Sequence, residues 1–161
     1  MPMPRPAAVL FDCDGVLADS EGLVNAIVAT DLTARGWRLS AEQCRETFLG
    51  MAVTAMIPVI EGRVGPLPAD WIPRISREIA MQVAQALEPI PGALPALRAV
   101  AAAGIPVAVA SNSARWELEA KLDRLGIAAI FAGRVFSFED VPRPKPAPDI
   151  YLAAARACGV A

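Results

Sequence analysis

Histidine is absent from the 161 residues of this chain. Without imidazole no Ser-His-Asp or Cys-His nucleophile pair can be assembled, and no histidine-based metal site. Any chemistry has to run on carboxylates, hydroxyls, lysine, arginine and backbone amides. Lysine is nearly absent too: only Lys121 and Lys145 occur, and residues 17–90 hold none. The three cysteines, Cys13, Cys44 and Cys158, are an odd number with no framework spacing, which fits reduced thiols in a cytoplasmic protein. No long apolar run exists. The longest, Ala99–Ala110, is interrupted by Gly104 and Pro106 and falls short of the ~20 residues a membrane helix needs. Met1–Pro6 is proline-rich and shows no secretory signal. The expectation is a soluble, cytoplasmic protein with no membrane partner. A net charge of −2 and a pI near 5.2 leave no basic face for nucleic acid.

What is present is apolar. Hydrophobic residues make up 55% and charged ones 20%, which supports one packed domain, or a small domain carrying an insertion. Ala7–Phe11 is a short apolar run closed by Asp12, as expected of a buried parallel strand. From Ser20 to about Glu88 the spacing is helical. Leu23, Ile27, Val28 and Leu32 form one stripe closed by Gly36, and Ser40 with Gln43 forms a capping box for a helix fading by Gly50. Val53–Ile60 predicts a short third helix, and Ile72, Ile75, Ile79, Val83 and Leu87 a longer one. After Pro89, Pro91 and Gly92 the pattern alternates. It predicts a helix at Ala93–Ala103, a strand at Ile105–Ala110, a helix at Arg115–Leu125 and a strand at Ala132–Ser137. The loop PRPKPAPD then leads to a helix from Pro148 to about Ala157. Strand–helix alternation around a helical block predicts an α/β core with a helical insertion after the first strand. The hinges fall near Val16–Ser20 and Glu88–Gly92.

Ligands in open α/β sheets gather at the carboxyl ends of the strands. Asp12 and Asp14 follow the first strand, Ser111 and Asn112 the second, and Lys145 lies in the loop after the third. Taken singly, each has a structural reading: a turn, a helix cap, a stiff linker, a solvated lysine. Their occurrence in this order suits phosphoryl transfer through an aspartyl-phosphate. A phosphate dianion repels a carboxylate nucleophile, so its charge must be neutralised before attack. Magnesium on aspartate oxygens and the Lys145 ammonium supply positive charge, and Ser111 with neighbouring amides can bind phosphate oxygens. Asp12 would attack phosphorus; Asp14 would protonate the leaving alkoxide and then deprotonate water.

The segments FDCDGVLADSE, VAVASNS and RPKPAPD resemble the first three signature motifs of the haloacid dehalogenase superfamily. The helical insertion resembles the cap of its phosphatase and β-phosphoglucomutase branch. The resemblance implies a Rossmann-like parallel-sheet core at residues 1–17 and 90–161, with an all-helical cap at 18–89. It implies Asp12 as nucleophile and Mg2+ ligand, and Asp14 as general acid/base and magnesium ligand through its backbone carbonyl. Ser111, Asn112 and Lys145 would bind phosphate, and the substrate would be a small phosphorylated metabolite such as a sugar phosphate, sugar-acid phosphate or phosphoglycolate. Dehalogenases of this family lack the second acid present here as Asp14. Phosphonate-cleaving members need a cap lysine, which residues 17–90 do not contain.

Two alternatives stay open. A mutase needs cationic cap groups, and Arg35, Arg38, Arg45 and Arg63 are available. An inactive fragment or interaction module would keep the pocket only as a phosphate-binding or structural feature. Glu21 and the Gly50–Met51 segment are candidates to touch substrate, though each also suits a structural place. Lys121 stands as the lysine outside the site, against which Lys145 is compared. The family's fourth motif, an acidic pair completing the magnesium site, has no counterpart before Ala161, and Glu139–Asp140 is not a substitute. A truncated chain with weak or no activity is therefore expected.

Overall fold

A computed structural model describes residues 4–49, 51 and 53–160, and the chain divides into two units: Met1–Asp19 with Leu87–Ala161, and Ser20–Ala86. In the first unit β1 (Val9–Phe11), β2 (Val107–Ala110) and β3 (Val135–Phe136) form a parallel sheet in the order β1-β2-β3. The register sets Val9 against Val107, Phe11 against Val109 and Ala110 against Phe136. The α/β class expected from the alternation is what the chain adopts.

The middle strand is buried at every position, and successive side chains point to opposite faces. Ala108 and Ala110 meet Ile150 and Ala154 of the C-terminal helix, with Leu10, Phe136, Val141 and Cys158 around them. Small residues on the strand let that helix lie close. Phe11 meets the Phe131 ring edge-on at 6.3 Å. The third strand is shorter than the expected Ala132–Ser137. Ala132 (φ 48°) and Gly133 (φ 80°) turn left-handed, so extended backbone begins only after Arg134.

The second unit is helical: α1 (Glu21–Ala34), α2 (Ala41–Phe48), α3 (Val53–Val64) and α4 (Trp71–Ala86). Ile27, Val28 and Leu32 are buried on α1 as their spacing predicts. The capping box forms: Ser40 Oγ accepts the Gln43 amide at 3.1 Å and Gln43 Oε1 accepts the Ser40 amide at 2.9 Å. The third helix runs past the expected Ile60 to Val64 and tolerates Pro58. Trp71 rather than Ile72 anchors α4, and Leu87 leaves the helical stripe to be buried within the α/β unit. Asp31 joins α1 to α4 by accepting from Arg35 (2.8 Å), Trp71 Nε1 (2.7 Å) and Arg74 (2.5 Å). Burial alone would raise the Asp31 carboxyl; the bonds from Arg35, Trp71 and Arg74 outweigh it and hold it below the ordinary range. Of the four arginines named as mutase candidates, Arg35 is tied to Asp31 and Arg63 lies over the Trp37 ring at 5.4 Å. Glu21 opens α1 and is exposed, as is Met51, whereas Gly50 lies outside the described residues.

The remaining helices belong to the α/β unit: α5 (Ala93–Ala102), α6 (Arg115–Arg124) and α7 (Asp149–Ala157), with 3-10 turns at Ala128–Phe131 and Phe138–Asp140. Where the chain leaves and re-enters this unit the two crossings are bonded. The Asp19 amide donates to Glu88, and the Ile90 amide to Leu17. No single helix among the described residues is long and apolar enough to cross a membrane.

Candidate active site

The first acids stand on a tight turn. Cys13 carbonyl accepts from the amides of Val16, Leu17 and Ala18, and Gly15 donates back to Ala18. This closure needs a left-handed residue, which Gly15 supplies at φ 72°. Asp12 is thereby held at the strand end with its Oδ1 accepting the Cys13 amide at 2.7 Å. Cys13 itself is fully buried. Burial first, and the Asp14 charge second, push its thiol up to about 12, so it is an inert packing group.

Lys145 arrives from the proline-rich loop. Its ammonium lies 3.0 Å from Asp12 Oδ1, donates to the Ala110 carbonyl at 2.8 Å, and sits 4.9 Å from the Tyr151 ring centre. Burial alone would lower its pKa; contacts with Tyr151 and Asp12 raise it above the usual lysine value. The lysine is charged. Asn112 places it there by gripping the loop backbone on both edges: its Nδ2 donates to the Lys145 carbonyl (3.1 Å) and its Oδ1 accepts the Lys145 amide (3.0 Å). The Asn112 side chain therefore spends its amide on holding Lys145.

Ser111 is buried at the end of β2, where its amide donates to the Phe136 carbonyl. Its hydroxyl donates to Asp14 Oδ2 at 3.2 Å and accepts the Ser113 amide at 3.0 Å. Five expected residues from three separate stretches of sequence thus converge. Asp12 meets Lys145, Asp14 meets Ser111, and Asn112 ties the lysine loop to the second strand.

Three groups went unnoticed in the sequence. Ser113 donates to Asp14 Oδ2 at 2.8 Å, and Lys121 Nζ lies 2.6 Å from Asp14 Oδ1 and 2.5 Å from Glu117. Lys121 is no bystander, which corrects its use as the lysine outside the site. Burial alone would lower its pKa, but the Asp14 and Glu117 carboxylates outweigh this and raise it. The signal was legible: Lys121 falls on the stripe of Leu118, Leu122 and Leu125, with Glu117 one turn earlier. A charge on an apolar stripe is buried and needs a partner.

Glu139 and Asp140 are committed elsewhere. Glu139 accepts the Arg115 amide at 3.0 Å, and Asp140 takes the Ser137 amide at 2.6 Å and the Arg115 guanidinium. Among the described residues no three His, Cys, Asp or Glu side chains gather as a metal cluster.

Comparison with known proteins gives the family. A family model described as haloacid dehalogenase-like hydrolase matches residues 6–161. The chain is 31% identical to 6-phosphogluconate phosphatase of Escherichia coli K12 over 98% of its own length and 71% of that protein. Among solved structures, a haloacid dehalogenase-like protein of Agrobacterium tumefaciens superimposes with a TM-score of 0.84 at 31% identity, covering 96% of this chain and 69% of that one. A HAD family hydrolase of Deinococcus radiodurans, solved with bound phosphate and sodium, gives 0.80 at 31% identity, covering 97% and 69%. By the family match over residues 6–161 and the 31% identity to the Escherichia coli phosphatase, the chain belongs to the haloacid dehalogenase-like hydrolase family.

Proposed function

We propose that this chain belongs to a magnesium-dependent phosphatase that hydrolyses a small phosphomonoester through an aspartyl-phosphate on Asp12. The observation that carries the reading is the 3.0 Å approach of the Lys145 ammonium to Asp12 at the carboxyl end of the sheet. A lone carboxylate repels a phosphate dianion. An adjacent cation that itself bonds to the Ala110 carbonyl makes the encounter tolerable without moving. Ser111 and the backbone amide of Asn112 are assigned to the phosphate oxygens. The helical unit is assigned as the cap, bounded near residues 18–89.

The oxygen donors fit magnesium. The ion takes hard ligands, keeps several waters, and is held by one or two carboxylates together with substrate phosphate. The half-exposed Asp12 carboxylate and the Asp14 backbone carbonyl are the residues that would hold it. Bound there, the ion would neutralise phosphate charge and orient the ester. Asp12 attacks phosphorus, the P–O bond to the leaving group breaks, and Asp14 gives that oxygen a proton. Water then attacks phosphorus as Asp14 takes its proton, and Asp12 is released.

The relatives favour a sugar or sugar-acid phosphate as substrate. A phosphatase is preferred to a mutase because three of the six arginines of the helical unit, Arg35, Arg74 and Arg63, are spent on Asp31 and Trp37. The test is a screen of phosphorylated metabolites with the full-length protein, followed by Asp12→Asn. Loss of turnover, together with loss of the acid-stable label that wild type acquires on Asp12 from a radiolabelled ester, is expected. Unchanged turnover in Asp12→Asn would end the reading.

A further inference from the structure

Lys121 lies outside the three motifs, yet it is the more deeply buried of the two lysines. Its side chain is 2% exposed against 18% for Lys145. An ammonium has three N–H donors. Here three oxygens surround it: Asp14 Oδ1 at 2.6 Å, Glu117 Oε1 at 2.5 Å and Ser113 Oγ at 3.2 Å. The other Asp14 oxygen accepts from the hydroxyls of Ser111 and Ser113. Both oxygens of one carboxylate are thus held by groups on α6 and on the 111–113 segment, which are parts of the same unit.

Packing alone does not account for a lysine at this place. The stripe of α6 is otherwise leucine, and burying an ammonium costs more than burying another apolar side chain. The stem of Lys121 fills the stripe, as a long side chain can, while its head delivers a compact charge to the acid. Glu117, one turn earlier, holds the ammonium from the other side.

The geometry points to Lys121 as a positioning residue for the second half of the reaction, the hydrolysis of the phosphorylated Asp12. It rests on the reading of Asp14 as the acid–base group proposed above. In that step the Asp12 O–P bond breaks, a water O–P bond forms, and the water proton passes to Asp14. The carboxylate must then be aimed at the water, and its bonds to a buried lysine and two serine hydroxyls hold it there. A carboxylate free to rotate would meet the water in the wrong place, and misplacement by ~1 Å can cost about 100-fold in rate.

The test separates the two half-reactions by rapid-quench kinetics on the full-length protein with p-nitrophenyl phosphate. Its phenolate leaves without a proton, so formation of the phosphoenzyme does not call on Asp14. Lys121→Met is expected to slow phosphoenzyme breakdown about 10- to 100-fold while changing its formation less than about threefold, so that labelled Asp12 accumulates. Glu117→Gln shifts breakdown in the same direction by less. If Lys121→Met does not fold, Lys121→Met/Glu117→Gln, which removes the orphaned acid as well, carries the same measurement. Breakdown that is unchanged or faster, or formation and breakdown slowed alike, overturns the inference. Asp14→Asn is the reference. If it delays breakdown and the Lys121 variants do not, the positioning role is wrong and the acid–base reading stands; if Asp14→Asn leaves breakdown untouched, both fall.

Discussion

Replacing Lys145 with methionine keeps the stem and deletes the charge. A pair of unit charges ~4 Å apart is worth about 4 kcal/mol at an effective dielectric near 20 and about 1 kcal/mol in bulk water. The site lies between those limits, since the Lys145 side chain is 18% exposed and that of Asp12 38%. Taking about 2–3 kcal/mol as the loss toward a bound anion, Kd for inorganic phosphate rises roughly 30- to 150-fold. The natural comparison is Arg143 in the same loop. It is 70% exposed and paired with Asp149, so Arg143→Ala removes a solvated charge and is expected to change Kd less than about twofold. Isothermal titration with phosphate in the presence of magnesium measures both, with thermal melts to establish that the variants are folded. If Lys145→Met shifts Kd less than about threefold, or no more than Arg143→Ala, the electrostatic reasoning fails, because a 3.0 Å contact would then carry no anion-binding energy.

Asp31 makes the helical unit acid-sensitive. Its folded pKa is depressed, so the unfolded chain binds more protons and the contribution to stability is present above pH ~4 and lost as pH falls through the folded value. Asp31→Asn should destabilise that unit by about 1–2 kcal/mol at neutral pH and flatten the acid limb of its unfolding curve; an unaltered limb in chemical denaturation from pH 7 to 3 would contradict this. The thiols should separate by accessibility. Burial pushes Cys13 up to about 12 and Cys44 up to about 11, so Cys158, the least buried of the three, reacts first with iodoacetamide at pH 8. Cys13 should label only on unfolding, and mass spectrometry finding it modified at the rate of Cys158 would refute the packed turn.

The sequence alone determined the fold class and the helices that carry a stripe, because hydrophobic period and caps act over a few residues. Ile27, Val28 and Leu32 were legible on that ground, and so was the Ser40–Gln43 box. The strand-end positions of Asp12 and Ser111 were legible because the ends of apolar runs are local signals, and Lys145 because the prolines around it mark a loop. Tertiary structure decided what those signals could not reach. Pairing with β2 left β3 two residues long, since Ala132 and Gly133 turn before the sheet begins. Asn112 became a clamp on a backbone 33 residues away, and Lys121 became the partner of an acid 107 residues away. A side chain's identity limits which bonds it can make. Which oxygen stands within 3 Å of it is set by packing of distant segments, and that depends on the whole unit at once.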